Sequence, residues 1–312
     1  MTELGAGDAG VRRAVEILQA GGLVGLPTET VYGLAGRAFD PAACAAIFEA
    51  KGRPLSDPLI VHLPEAGWLE RVAVPTVTAR QLAAAFWPGP LTMVLPRLPV
   101  VPDLVTAGQS TVAVRVSAHP LFSKVLQMLD EPVAAPSANR FGRVSPTCAA
   151  HVVEELGGKV PLVLDGGESS HGIESTIALV HGNQIQILRP GPIGPAELGA
   201  FGEVSGGTGT RVAVPGSMAS HYAPSTPLRL GFDGSPGRRS GLLAWSRPRD
   251  GFAAVEVLSA NGNPREAAAN LYAAIRRLDA LGLEEIVAER PPSGGLGDAI
   301  ADRLSRAAAK SS

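Results

Sequence analysis

The sequence predicts an α/β layer protein that ends in a small Rossmann-like α/β domain. Two observations carry this. Helical and strand patterns alternate along most of the chain, and the alternation resumes after a stretch in which the apolar period lapses. An amphipathic helix is expected at 11–20, stopped by Gly21-Gly22, with a short buried strand at 23–26. Asp40-Pro41 supplies an N-cap and a proline at the first helical position, opening a helix that runs to Ala50. Strands at 59–61, 91–95, 111–115 and 133–135 alternate with helices at 77–86 and 120–129. A helix at 147–156 precedes strands at 160–164, 176–180 and 185–188. The segment PGSMASHYAPSTP (215–227) holds too many prolines for a helix or a central strand. After it, strands at 228–230, 241–244, 255–258 and 285–288 and helices at 265–280 and 298–309 form the Rossmann-like domain. The expected organisation is a main domain over 1–205, a linker or lid over 206–227 and a C-terminal domain over 228–312.

Composition excludes several function classes. The 312 residues carry 27 Lys and Arg against 29 Asp and Glu, a formal charge of -2, which is no polybasic nucleic-acid surface. A hydrophobic fraction of 45% excludes global disorder. No apolar run reaches the roughly 18 residues of a membrane span, and the first residues lack the basic-then-apolar pattern of a leader. Cys44 and Cys148 form neither a Cys-x-x-Cys site nor a disulfide framework, so a reducing cytoplasm is the expected location.

Familiar catalytic motifs are missing. The chain has no G-x-x-x-x-G-K-[ST], no G-x-S-x-G and no H-E-x-x-H. Gly295-Leu296-Gly297 opens the last helix without the third glycine of a dinucleotide fingerprint. No pair among the six histidines has metal-ligand spacing, so no protein-held metal is expected. What remains is a set of cations and hydroxyls at turns and strand ends. Lys51-Gly52-Arg53-Pro54 caps a helix and also presents two cations. Arg115 ends one strand and Arg189 lies just past another; Ser137 and Asn139 follow a third, and Ser175 precedes a fourth. Thr28 and Thr30 fall on one face of a segment expected to be extended. Strand ends in α/β sheets converge at the ligand crevice, so these groups predict a pocket for a highly anionic small molecule. An arginine-lined concave surface that binds RNA is the alternative.

The ordered series PTETVYGL (27–34), KGRP (51–54), DPLIVH (57–62), WPGPLT (87–92), TVAVR (111–115), APSAN (135–139), SPT (145–147), GIESTI (172–177) and LRPGP (188–192) closely resembles the YrdC family. PGSMASHYAP (215–224) and the C-terminal domain resemble its long, two-domain form. The resemblance implies a twisted mixed sheet with helices. It implies synthesis of threonylcarbamoyl-AMP from L-threonine, bicarbonate and ATP, with release of pyrophosphate. The product would pass to a threonylcarbamoyltransferase complex that modifies adenosine 37 of tRNA; direct tRNA binding is not required. Carried over position by position, Thr30, His62, Arg115, Ala135 and Ser175 would hold threonine. Lys51, Arg53, Asp57, Thr111, Ser137, Asn139, Ser145, Arg189 and Tyr222 would hold ATP, with Lys51 and Arg53 catalytic. Mg²⁺ is implied on the nucleotide phosphates. His221 and Tyr222 would fold over the pocket as a lid. Ser217-Met218-Ala219-Ser220 departs from many relatives, whose linkers carry Lys and an extra aromatic there.

Overall fold

A computed structural model describes residues 2–206, 212–216, 221–231, 237 and 239–309. The departing segment 217–220 and most of 206–211 therefore lie outside the described residues. Eleven strands form one mixed sheet: β1 (Glu3–Gly5), β2 (Val24–Leu26), β3 (Gly33–Arg37), β4 (Ile60–His62), β5 (Leu91–Pro96), β6 (Thr111–Arg115), β7 (Val133–Ala134), β8 (Leu162–Leu164), β9 (Thr176–His181), β10 (Gln184–Arg189) and β11 (Glu203–Gly206). Their order is β1-β8-β2-β3-β7-β4-β6-β5-β9-β10-β11. β4 and β6 are parallel neighbours with His62 opposite Arg115, whereas β7 runs antiparallel to both its neighbours and β5 and β10 to one neighbour each.

Helices cover one face of this sheet fully and the other only in part. α2 (Pro41–Lys51), α4 (Val77–Phe86) and α7 (Ala149–Leu156) bury Ile47, Phe48, Leu82 and Leu156 against Leu34, Val61, Met93 and Val114. On the opposite face, α1 (Gly7–Gln19) and α6 (Pro120–Leu129) pack Leu18, Phe122 and Leu126 on Val24, Leu26 and Val133. That same face continues through Ile60, Ala113 and Ile177, where the cover is Val214 of the interdomain strap. The functional side chains stand on this stretch. Period-two alternation puts Thr111, Ala113 and Arg115 on one side of β6, and pairing puts Ile60 and His62 beside the last two.

The long helices follow the sequence pattern closely. The Asp40 side chain accepts from the backbone N–H groups of Ala42 and Ala43 at the start of α2, and Gly52 closes the helix at φ 62°. Short elements went unforeseen. They are β1, β11, α3 (Leu69–Val72), α5 (Asp103–Thr106) and α8 (Pro195–Leu198), too brief to show a period, and β3, buried along its length without alternation.

The C-terminal domain is a wholly parallel sheet, β12 (Leu228–Leu230), β13 (Ser240–Ala244), β14 (Ala254–Val257) and β15 (Glu285–Ala288), ordered β12-β15-β13-β14. It carries α9 (Pro264–Asp279) and α10 (Leu296–Ala308). Its core runs on into the main domain: Val31, Val144, Ile173 and Tyr222 pack in the same cluster as Leu271, Tyr272, Ile300 and Leu304. Gly172, at φ 66°, brings its backbone against α9, and a Cβ there would stand 2.4 Å from the Ala268 carbonyl oxygen and the Ala269 Cα. Gly172→Ala is therefore expected to wedge the two domains apart and lower the unfolding midpoint by several degrees. Differential scanning calorimetry checks this, and an unchanged midpoint would contradict the close packing.

Candidate functional site

The turn after β2 is built by one hydroxyl. Thr28 Oγ1 accepts from the N–H groups of Thr30 (3.1 Å) and Val31 (3.2 Å) and donates to the Val31 carbonyl. The segment expected to be extended is thus bent, yet the bend still brings Thr28 Oγ1 and Thr30 Oγ1 to 2.8 Å. Local side-chain-to-backbone bonds of this kind compete with strand geometry. The bend also turns Glu29 inward, a residue the sequence reading did not single out.

Nine of the expected residues line one narrow cavity: Thr30, Arg53, His62, Arg115, Ala135, Ser137, Ser175, Arg189 and Tyr222. The cavity is not confined to the carboxyl-side rims that strand convergence predicts. His62, Arg115 and Arg189 come from carboxyl ends, Ser175 from the amino end of β9, and Ala135–Ser137 from a strand antiparallel to β4. In a mixed sheet, strand ends of both polarities meet, so the site spreads onto the face.

Backbone oxygen takes part in fixing each arginine. Arg53 donates from Nε to the Asp57 carbonyl (3.0 Å) and from Nη2 to the Pro58 carbonyl (2.7 Å), with the Asp57 carboxylate 2.9 Å from Nη2. Arg115 donates to the Gly89 carbonyl (3.1 Å) and to Thr30 Oγ1 (2.9 Å), and its Nη2 lies 2.6 Å from Glu29. Arg189 donates to the Ser175 carbonyl (2.9 Å), Ser175 Oγ (3.0 Å) and the Pro215 carbonyl (3.0 Å). Among the described residues no carboxylate is ion-paired to Arg189.

The other expected residues stand behind or beyond the cavity wall. Lys51 is fully enclosed and donates to the carbonyls of Ser137 (2.6 Å) and Asn139 (2.5 Å), so it pins the loop instead of facing the cavity. Burial, reinforced by the nearby Arg53 charge, drives its pKa well below the usual lysine value. Asp57 holds Arg53, and burial pushes its carboxyl up despite that partner. Asn139 donates to the carbonyls of Arg140 and Arg143, and Ser145 donates to Glu174 (2.6 Å). Thr111 sits at the opposite end of β6 from Arg115, roughly 13 Å along the strand, outside the cavity lining.

Two carboxylates that the motif reading passed over are built into the site. Burial would raise the Glu29 carboxyl, but the Arg115 charge and hydrogen bonds from Ser117 and Arg115 outweigh it and hold the pKa at about 2. Glu174 lines the cavity itself, and it too is held at about 2: burial opposes, while the charges of Arg303 and Arg189 win. The signal available for both was a carboxylate inside an otherwise neutral, turn-rich motif. Such a group must be paired if the motif is buried.

Pro215, Gly216, His221 and Tyr222 line the cavity, and the Gln109 side chain anchors the strap by bonds to both the N–H and the carbonyl of Ala213. Tyr222 adopts φ 64°, a left-handed conformation rare for a bulky residue and held here by burial. Its ring meets His221 at 4.2 Å and Tyr272 at 5.8 Å. Among the described residues His62 Nδ1, His221 Nδ1 and Tyr222 Oη are buried without a hydrogen-bond partner. Unsatisfied buried groups facing a cavity point to a ligand that satisfies them.

No cluster of three or more His, Cys, Asp or Glu capable of holding a metal occurs among the described residues, and Glu29, Asp57 and Glu174 are each occupied by an arginine. A protein-held Mg²⁺ does not fit this donor set. No described helix is long and apolar enough to cross a membrane.

Residues 16–191 match the Sua5/YciO/YrdC family model, described as "Telomere recombination", and residues 184–309 match the model described as "Threonylcarbamoyl-AMP synthase, C-terminal domain". The chain belongs to the Sua5/YciO/YrdC family, in its two-domain form. It is 38% identical to threonylcarbamoyl-AMP synthase of Pyrococcus abyssi, over 95% of this chain and 93% of that one. Identity to the protein of the same name from Bacillus subtilis is 37%, over 98% and 95%. The crystal structure of P. abyssi Sua5 complexed with L-threonine superposes with a TM-score of 0.90 at 35% identity, covering 99% of this chain and 98% of that one. The expected family and the mixed α/β fold are thereby borne out.

Acid should destabilise this site. Burial lowers His62 and His221 from 6.5 to about 3, and Glu29 and Glu174 lie at about 2 against an unfolded 4.5. In each case the unfolded chain binds more protons between the two values, so stability rises with pH there. The histidine contribution is complete above pH 6.5 and fades toward pH 3; the carboxylate contribution fades from pH 4.5 toward pH 2. Thermal midpoints should fall steadily from pH 7 to pH 4, and His62→Gln should flatten the upper part of that slope. A wild-type midpoint constant between pH 6.5 and 4.5 would contradict the buried neutral histidines.

Proposed function

We propose that the protein condenses L-threonine, bicarbonate and ATP to threonylcarbamoyl-AMP and pyrophosphate. The observation that carries this reading is the meeting of Arg53, Arg115 and Arg189 with Thr30, Ser175 and a neutral His62 around one enclosed cavity. Two anionic reactants must lie side by side for this chemistry, and only a desolvated cluster of oriented cations holds them together. The naming of relatives over nearly the whole chain, and the threonine bound to P. abyssi Sua5, support the same choice.

In this reading Arg115 receives the threonine carboxylate. Its side chain is already oriented by Gly89, Thr30 and Glu29, so little is lost in ordering it. Thr30, Ser175, the Ala135 backbone and the unpartnered His62 Nδ1 surround the rest of the amino acid. The amine adds to carbon dioxide derived from bicarbonate, giving a carbamate and releasing a proton. A carbamate oxygen then attacks the α-phosphorus of ATP, and the bond to the pyrophosphate oxygen breaks. No protein nucleophile is required. Arg53, Arg189, Ser137 and Tyr222 face the phosphates, while Lys51, Asp57, Asn139 and Ser145 hold the walls that carry them. Thr111 lies on the same sheet face as Arg115, beyond Ala113, and is assigned the nucleoside end in this reading. The described residues offer no cluster for Mg²⁺, which would be carried by the nucleotide phosphates and water. The strap carrying His221 and Tyr222 keeps water from the carbamate and the adenylate. The product then serves threonylcarbamoyl transfer to tRNA by a separate complex.

Enclosure favours this over the RNA-binding alternative, since Arg53, Arg115 and Arg189 are almost wholly buried and phosphodiester chains need accessible cations. Pyrophosphate release from ATP, Mg²⁺ and bicarbonate is expected only when L-threonine is added. Release that is absent, or independent of threonine, would overturn the proposal. Arg115→Ala should raise the threonine KM about 30-fold, the equivalent of roughly 2 kcal/mol for a charge-assisted hydrogen bond, in the same assay.

A further inference from the structure

Glu174 presents a difficulty that the proposed reaction does not resolve. Its carboxylate lines a cavity built for anions, one residue from Ser175, and stays ionised far below neutral pH. A bare negative charge there would oppose both a carboxylate and a triphosphate. The charge is answered from across the domain boundary. Arg303 of α10, with no exposed side-chain surface, donates from Nε to Glu174 Oε2 at 2.7 Å. Tyr272 of α9 donates to the same carboxylate, lying 2.9 and 3.1 Å from its two oxygens. Ser145 of the main domain completes the set at 2.6 Å.

The same two residues reach further into the site. Arg303 Nη2 donates to the Pro190 carbonyl (3.0 Å), fixing the turn directly after Arg189. Its guanidinium carbon lies 5.3 Å from the centre of the Tyr222 ring, and Tyr272 stacks on that ring at 5.8 Å. The left-handed Tyr222, the Arg189 turn and the Glu174–Ser175 pair are thus all braced by two side chains of the C-terminal domain. Asp302 partners a second nitrogen of Arg303 at 2.7 Å from the solvent side.

We propose that the C-terminal domain completes the electrostatics of the main-domain cavity, with Arg303 and Tyr272 acting as positioning residues that neutralise and hold Glu174 so that the adjacent subsites accept anions. The ligands are named from the proposed reaction; the bracing is read from geometry alone. A purely structural interdomain bridge would look alike in the free protein but behave differently on substitution. If Arg303 matters by cancelling the Glu174 charge, removing that charge as well should restore anion binding. If it matters by packing, a second substitution should add to the damage.

The test compares full-length wild type, Arg303→Met, Glu174→Gln, the double variant and Arg303→Lys. ATP and L-threonine dissociation constants come from titration calorimetry, kcat and KM from pyrophosphate release, and folding from circular dichroism. Arg303→Met should weaken binding of both ligands at least tenfold. The double variant should return to within about threefold of Glu174→Gln alone, and Arg303→Lys should keep most of the wild-type affinity. A double variant that binds as poorly as Arg303→Met, or an Arg303→Met that binds like wild type, overturns the proposal. Should Arg303→Met alone fail to fold, the double variant decides: folded with near wild-type affinity supports it, and unfolded or non-binding refutes it. A wild type that binds ATP but releases no pyrophosphate would remove the reaction and leave this inference to be judged on the binding data.

Discussion

Everything in this molecule depends on taking guanidinium groups out of water and holding them without fully cancelling their charge. Transferring such a charge into a protein interior costs several kcal/mol, even after relaxation. Arg53 and Arg189 meet that cost mainly through carbonyl oxygens of Asp57, Pro58, Ser175 and Pro215, and Arg115 through the Gly89 carbonyl, the Thr30 hydroxyl and Glu29. Carbonyl dipoles orient a cation but carry no net charge. Asp57 and Glu29 balance Arg53 and Arg115, while Arg189 has no ion-paired carboxylate among the described residues. The cavity is left short of negative charge, and an anionic ligand is the missing term.

The sheet makes this possible by being mixed. In a wholly parallel sheet the polar strand ends lie along one rim. Here antiparallel neighbours bring the carboxyl ends of β4, β6 and β10 beside the amino end of β9, on a stretch of the face that α1 and α6 do not reach. The strap fills the gap, with Val214 on Ile60, Ala113 and Ile177 and the Tyr222 ring against Tyr272. The cover over the cavity is thus continuous with the core of the C-terminal domain, so closure and domain packing are one structural problem.

Much of this was legible in the sequence. The long helices announced themselves by period and cap, as at Asp40-Pro41, because a helix of ten residues repeats its pattern several times. The five residues of β3, GLAGR, are buried on both faces and show no alternation, and a hydroxyl that bends its own backbone leaves no periodic trace. The arginines of the site could be named because motif order identified them. The resemblance implies an ATP-holding role for Lys51, but the direction of its side chain is set by the carbonyls of Ser137 and Asn139, almost ninety positions away. Glu29 and Glu174 were passed over for a similar reason. A carboxylate declares its role only through partners distant in sequence, Arg115 in one case and Arg303 in the other. Local pattern reports elements well; charge pairing across domains is a property of the folded chain.

The most direct measurement of the central claim is a crystal structure of the full chain with L-threonine and a non-hydrolysable ATP analogue. The account predicts the threonine carboxylate on the Arg115 guanidinium, the phosphates between Arg53 and Arg189, and the cavity closed by Tyr222. Ligands bound on another surface, with Arg115 and Arg189 still engaged only by protein oxygen, would contradict it.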